Sequence, residues 1–307
     1  MFSNGGKMKI IKFITLAIIA FYTGSALAQN TTSQIDDKRA FEAILTGTPN
    51  DVKKLIQNGY DVNKVYLCNT PLTTAVKSSI YGLQQQATPS AALEKIKILI
   101  AAGADVNKVP CSEKGMSALN WAVILPGYFE NMGNMSVAVF NNMIQAGVGL
   151  CNLPPIISKP CKDITDSEKE SINKTVHASF VEMGKQWTPH FMEIIDYLVS
   201  NGANVNGNTL NRKQIMPIHL AATNPQEITL EPLKYLIRKG ANINIQDSDG
   251  NTPLFWAYGS QNHNAVEILQ KAGADISIKN KNGTLYNQVI SKTILGVLTN
   301  LNVELNN

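Results

Sequence analysis

One phrase recurs along the chain and limits what it can fold into more than any other feature. An apolar stretch ends in a glycine, and a short Asp/Asn-Val-Asn segment follows. The phrase reads Asn58-Gly59-Tyr60-Asp61-Val62-Asn63, then Gly103-Ala104-Asp105-Val106-Asn107. It returns as Gly202-Ala203-Asn204-Val205-Asn206, Gly240-Ala241-Asn242-Ile243-Asn244 and Gly273-Ala274-Asp275-Ile276, with a degenerate copy at Gly147-Val148-Gly149-Leu150. Successive glycines are 44, 44, 55, 38 and 33 residues apart. A unit of this size cannot bury its own apolar face, so tandem copies must stack against one another.

A second phrase interleaves with the first. It reads Thr70-Pro71-Leu72-Thr73-Thr74-Ala75 and Ser117-Ala118-Leu119-Asn120-Trp121-Ala122, then Met216-Pro217-Ile218-His219-Leu220-Ala221 and Thr252-Pro253-Leu254-Phe255-Trp256-Ala257. Thr175-Val176-His177-Ala178 is a weak version. Thr or Ser caps a helix, and Pro suits the first helical position, where its missing N–H is not needed. Gly after a helix takes the left-handed conformation that ends it. Before three of these glycines the apolar residues share one helical face. They are Ile96, Leu99 and Ile100; Ile194, Ile195, Leu198 and Val199; and Leu233, Leu236 and Ile237.

The paired phrases resemble the ankyrin repeat, whose hallmarks are Thr-Pro-Leu-His-x-Ala and Gly-Ala-Asp-Val-Asn at a period of 33. The resemblance runs from about Asp36 to the C-terminus. It implies an all-α solenoid of about six helix-turn-helix repeats, with short β-hairpin fingers and inter-helix insertions. Phe41 to Ile56 and Leu285 to Leu301 are its atypical ends. Only the last spacing equals 33, which leaves insertions of about 11, 11, 22, 5 and 0 residues. The first falls around Lys77 to Ala92 and the second around Leu125 to Met135, both expected between the two helices of a repeat. The third is Leu153 to Trp187. Insertions in such arrays gather on one face, often the binding face.

The first 28 residues read as a cleaved signal peptide, ahead of a repeat domain over 29–307. Lys9 and Lys12 supply the positive segment, Phe13 to Tyr22 the apolar run, and Ala26-Leu27-Ala28 a small-x-small cleavage site before Gln29. The rival, a membrane anchor, needs about 20 apolar residues, and the run holds about half that. A start at Met8 would give a tidier positive segment. The Ala-x-Ala ending is the bacterial style and points to the periplasm. Without Lys7, Lys9 and Lys12, 24 basic residues face 23 acidic ones. That balance argues against nucleic acid or an anionic membrane as the main partner, since both need clustered Lys and Arg.

Four cysteines in an oxidising compartment suggest disulfides. Cys68 and Cys111 fall in successive fingers, which the family sets side by side, and Cys151 and Cys161 lie ten residues apart. Of the three possible pairings, 68–111 with 151–161 is favoured. Zinc is the rival, but no Cys-x-x-Cys pair and no His at ligand spacing supports it.

No Gly-x-Ser-x-Gly, Walker loop or His-Glu-x-x-His occurs. His177 and His219 fall at the family's own His position, where the side chain satisfies nearby backbone. His190 and His263 have no companion nucleophile at motif spacing. No catalytic residue, cofactor or metal is therefore expected. Trp121 and Trp256 read as core. The resemblance places partner recognition on the fingers and first helices, at Tyr66, Leu67, Lys108, Glu113, Lys114, Arg212, Lys213, Ser248, Asp249, Asn251 and Tyr258. The partner is expected to be another protein. A secreted toxin neutralised by an immunity protein, or a periplasmic enzyme in oxidative-stress defence, are the two classes that signal-bearing ankyrin proteins resemble. An enzyme sited in 153–187 is the remaining alternative.

The export reading predicts that Ala28→Arg blocks processing, because the cleavage pocket takes a small residue. N-terminal sequencing of periplasmic protein checks it, and mature chain still beginning at Gln29 would refute the signal assignment.

Overall fold

Each first helix of a repeat begins for a local reason. In Thr70-Pro71-Leu72-Thr73, the Thr73 N–H donates to Thr70 Oγ1 at 3.1 Å and the Thr70 N–H donates to Thr73 Oγ1 at 2.8 Å. Ser117 and Asn120 form a similar local pair, with Asn120 N–H donating to Ser117 Oγ at 3.2 Å. At the next copy the Met216 N–H donates to His219 Nδ1 at 3.0 Å. The fourth residue of the phrase thus caps its own helix. At Asn120 and His219 it also reaches a further finger. Asn120 Nδ2 donates to Ile215 O at 3.1 Å, and His219 Nε2 lies 3.1 Å from Ile245 O and 3.2 Å from Asn251 O. Because Nδ1 accepts a backbone N–H, His219 carries its proton on Nε2.

The structure is a computed structural model that describes residues 32–81, 89–111, 115–146, 150–153, 157–160, 163–207, 213–223 and 230–288. Helices α1 (Thr32–Thr46) and α2 (Pro49–Gln57) form the first pair, and α3 (Pro71–Tyr81) and α4 (Pro89–Ala101) the second. Helix α5 (Ala118–Ala146), strands β1 (Leu150–Leu153) and β2 (Ile157–Pro160), and helix α6 (Asp166–Ser200) follow. Then come the pairs α7 (Pro217–Ala221) with α8 (Leu230–Arg238) and α9 (Pro253–Gly259) with α10 (His263–Lys271), and a 3-10 turn at Tyr286–Gln288. The described residues divide into two compact units, one drawn from 29–126 with 188–288 and the other from 127–187.

Within the larger unit, the glycine phrase is the joint between repeats. Its Asp or Asn folds an Asx turn: Asp61, Asp105, Asn204 and Asn242 each accept, through Oδ1, the N–H two residues on, at 2.8 to 3.0 Å. The last Asn of the phrase then reaches the next repeat. Asn63 Nδ2 donates to Gly103 O at 3.0 Å while Asn63 Oδ1 accepts from Asp105 N–H at 2.8 Å. Asn107 does the same to Gly202 O and Asn204 N–H, both at 2.8 Å. Asn206 Oδ1 accepts from Asn242 N–H at 2.7 Å and Asn244 Oδ1 from Asp275 N–H at 2.9 Å.

These bridges correct the sequence reading at several points. The neighbour of the Asn107 turn is the Gly202 turn, so Gly147-Val148-Gly149-Leu150 is not a joint. Gly147 to Gly149 lie outside the described residues, and Leu150 opens β1. The expected second insertion, Leu125 to Met135, is no loop between helices, because α5 runs through it with Pro126 inside. Thr175-Val176-His177-Ala178 starts no repeat; it lies mid-way along α6, and the residues that cap that helix are Thr165 and Glu168. The expected 153–187 insertion is wider, since the separate compact unit begins at Gly127 and ends at Trp187. Insertion therefore falls inside one repeat, whose two helices are the start of α5 and the end of α6. The first insertion lengthens α3 to Tyr81, and 82–88 lie outside the described residues. Among the described residues this gives five helix pairs; of the expected last unit, Leu285 to Leu301, the residues beyond 288 lie outside the described ones and the rest holds the 3-10 turn at Tyr286–Gln288. In the smaller unit, β1 and β2 form an antiparallel hairpin in which Leu150 faces Pro160 and Leu153 faces Ile157. Ile172, Val176 and Phe180 make a buried stripe on α6.

The stack buries the residues that the two phrases mark. Leu72, Ala75, Leu119, Ala122, Ile218, Ala221, Leu254 and Ala257 from the first helices are buried, as are Ile96, Leu99, Ile194, Ile195, Leu198, Leu233 and Leu236 from the second. Trp121 and Trp256 are buried with them. Lys95 is buried too, and its Nζ donates to Ile44 O at 2.9 Å near the C-terminal end of α1, where a cation is favoured. Burial pushes Lys95 down to about 8, against the pull of Asp51.

Burial also pushes His219 down to about 4, with Asp247 and the carbonyls of Ile245 and Asn251 pulling the other way. A second proton on Nδ1 would break the Met216 cap. The folded form has the lower pKa, so between about 6.5 and 4 the unfolded chain binds more protons and stability falls as pH drops. At pH 5 the loss is about 2 kcal/mol relative to pH 7. Urea unfolding at both pH values checks this against His219→Asn, since Asn occupies the same position at Asn120. The variant is expected to lose about 2 kcal/mol less than wild type on acidification; equal losses would show that His219 does not titrate on unfolding.

Candidate protein-binding surface

The fingers are turns held by backbone bonds, and their chemistry follows from which side chains those bonds leave exposed. In the first, Tyr66 and Asn69 exchange both N–H···O bonds at 2.9 Å, and Leu67 and Cys68 span the two-residue tip. Their φ angles are 45° and 55°, the left-handed region that such tips require and that Asn-Gly usually fills. Asn69 Nδ2 donates to Leu67 O at 2.8 Å, and Lys77 Nζ donates to Asn69 Oδ1 at 2.8 Å while lying 3.7 Å from the centre of the Trp121 ring. Leu67 is 72% exposed and Val65 37%. Tyr66 is half-buried with its ring centroid 5.2 Å from that of Phe41, so much of its face is used in packing.

Cys68 is joined to Cys111 of the following finger, with Cα atoms 5.3 Å apart. Of the other expected pair, Cys151 lies on β1 opposite Lys159, and Cys161 falls outside the described residues.

The remaining sequence-marked positions divide by what they already touch. Lys108 Nζ donates to Asn63 O at 2.8 Å, so this lysine ties two turns together. Glu113, Lys114 and Arg212 lie outside the described residues. Lys213 O accepts from Ser248 N–H at 2.9 Å, and Asp249 O accepts from Lys281 N–H at 2.9 Å, so successive tips are laced edge to edge. Gly250 sits at that crossing with φ 80°, where an added Cβ would lie 2.8 Å from Lys281 N. Asn251 serves the frame: its carbonyl faces His219 and its Oδ1 accepts from Asn280 Nδ2 at 3.1 Å. Lys213 and Asp249 expose their side chains, and Ser248 is half-buried. Tyr258 is 37% exposed and meets Tyr286 edge-on at 5.5 Å.

The hub beneath these fingers is Asp247, which the sequence reading did not single out. Oδ1 accepts the N–H groups of Asp249 and Asn251 at 2.9 and 2.8 Å, and Oδ2 accepts Trp256 Nε1–H at 2.8 Å. A buried carboxylate needs such donors. The spacing of Asp247 from Gly250 and Thr252 is the signal that could have found it. Val65 was reachable as well, as part of an apolar run in a segment otherwise polar. Ile276, 55% exposed, had no such signal.

His190 Nδ1 lies 3.9 Å from Glu193 Oε2 on an exposed helical turn, and no cluster of three or more His, Cys, Asp or Glu able to hold a metal occurs among the described residues. No helix among them is long and apolar enough to cross a membrane.

Comparison with known proteins agrees with the geometry. The model of the family described as ankyrin repeats, in three copies, matches residues 188–280. An ankyrin repeat protein of Acanthamoeba polyphaga mimivirus is 38% identical over 80 residues, 24% of this chain and 19% of its own length. An ankyrin repeat-containing protein of Schizosaccharomyces pombe is 36% identical over 90 residues, 29% of this chain and 38% of its own. An ankyrin repeat protein of Borreliella burgdorferi is 38% identical over 78 residues, 25% and 34% of the two chains. The matched segments thus span well under half of each relative. Ankyrin repeats are a protein–protein interaction module. With its interlocked turns, its paired helices and the family match, the chain carries ankyrin repeats over 188–280.

Proposed function

We propose that this ankyrin-repeat chain is a periplasmic protein-binding module, and that its partner is a secreted antibacterial toxin which it neutralises as an immunity protein. The observation that carries the binding reading is Leu67. A large apolar side chain, 72% exposed, sits on a tip whose backbone is held in a conformation that leucine disfavours. Such outliers gather at functional sites. Tyr258, with its ring braced on Tyr286, offers a second anchor of the type that dominates binding energies. Export is supported by the signal-like start of the sequence. The toxin class rests on the resemblance to signal-bearing ankyrin proteins that act as immunity partners.

The test begins with the protein that co-purifies with the tagged chain from periplasmic extract. Leu67→Ala and Tyr258→Ala are expected to leave the melting temperature nearly unchanged, as surface changes usually do. Each is expected to raise the calorimetric Kd at least about fivefold, equivalent to about 1 kcal/mol. Unchanged affinity in both would remove recognition from the fingers. The immunity role further requires that the recovered protein be toxic when directed to the periplasm and harmless when this chain is co-expressed. A recovered catalase would support stress defence instead.

A further inference from the structure

The Cys68–Cys111 bond is placed where it can govern a binding finger without holding up the stack. It joins two turns at their outer parts, with Cys68 exposed and Cys111 half-buried. The same two repeats are tied independently. Asn63 bonds Gly103 and Asp105, and Lys108 Nζ bonds Asn63 O. Buried Leu72, Ile96 and Leu99 add packing that does not involve sulfur. The tip itself is less secure. Leu67 and Cys68 both hold φ near 50°, a region that L-residues other than Asn and Asp rarely enter. Three local bonds support them: the two between Tyr66 and Asn69, and Asn69 Nδ2 to Leu67 O.

We infer that the Cys68–Cys111 disulfide is a redox-operated clip on the binding finger. Oxidised, it fixes the Tyr66–Asn69 turn and presents Leu67; reduced, it frees that turn while the repeat stack stays folded. The reductant is a dithiol, small or protein-borne. Its thiolate attacks the exposed Cys68 sulfur, the S–S bond breaks, and Cys111 leaves as a thiolate that takes up a proton. The second thiol of the dithiol, deprotonated, then attacks the mixed disulfide and releases Cys68, which is protonated in turn. Two electrons pass to this protein and the dithiol becomes a disulfide. The clip's value to the cell rests on the fingers being the recognition surface, but its chemistry does not.

Amide hydrogen exchange read by mass spectrometry tests the clip on the full chain, oxidised and after excess dithiothreitol. Reduction is expected to speed exchange at Tyr66 and Asn69 by on the order of tenfold. Exchange over 230–271 is expected to stay the same, the melt to stay cooperative at a lower temperature because the opened bond no longer restrains the unfolded chain, and reoxidation to restore protection. Cys68→Ser with Cys111→Ser should behave as the reduced protein. Leu67→Asn with Cys68→Gly and Cys111→Ser should keep the turn protected without any bond, because Asn-Gly suits the tip. Three results would each overturn the proposal: unchanged exchange at Tyr66 and Asn69 on reduction, global unfolding on reduction, or a bond that dithiothreitol cannot reach. Titration of the recovered partner is a separate experiment. If finger order responds to reduction and affinity does not, the clip stands and the finger-binding reading fails.

Discussion

The structure depends on one side-chain amide used twice. An Asn at the end of each turn gives a hydrogen to a carbonyl of the next repeat and takes one from its backbone two residues on, as Asn63 and Asn107 do in full. A turn has many orphan backbone groups, and a buried or half-buried one must find a partner. Here the partners are the turn's own Asx residue and the Asn of the neighbouring copy. The bridges therefore set the register between successive turns of the larger unit without a sheet. Where the final turn carries Ser277 instead of Asn, the hydroxyl folds back onto Asp275 Oδ1.

That dependence explains what the sequence could and could not disclose. The Asp/Asn-Val-Asn phrase and the Thr-Pro-Leu phrase each encode local bonds, so the helix pairs, the caps and the buried Leu and Ala positions were legible. Glycine spacing misled because it counts residues and not contacts. Gly147 sits at a plausible distance from Gly103, yet the phrase that follows it carries Gly149 and Cys151 where the other copies carry the Asx-turn residue and the bridging Asn. His177 misled for a similar reason. The His of the phrase matters only when a residue three before it offers an N–H at a helix start, as Met216 does for His219, and His177 lies mid-helix. Composition alone could not decide whether 127–187 was part of the repetition, because α5 runs without a break from the repeat phrase into that segment.

The candidate surface was legible in outline only. Finger and first-helix positions follow from the phrases, so Leu67, Lys213 and Asp249 on the fingers and Tyr258 on α9 could be named. Their availability depends on neighbours far away in sequence: Lys108 is drawn onto Asn63 O and Asn251 onto His219 and Asn280. Leu67 and Tyr258, by contrast, keep exposed surface on a frame that holds them in place. Low conformational freedom at such tips favours binding, since less order has to be gained on association.

The turn at Asn107 stacks directly on the turn at Gly202, although 127–187 lie between them in sequence. Amide exchange at Asn204 in Asn107→Ala measures this most directly. The predicted result is fast exchange at Asn204, which loses its acceptor, together with a loss of about 1 kcal/mol in stability. An Asn204 amide as protected in the variant as in the wild type would contradict the stacking order and the repeat register built on it.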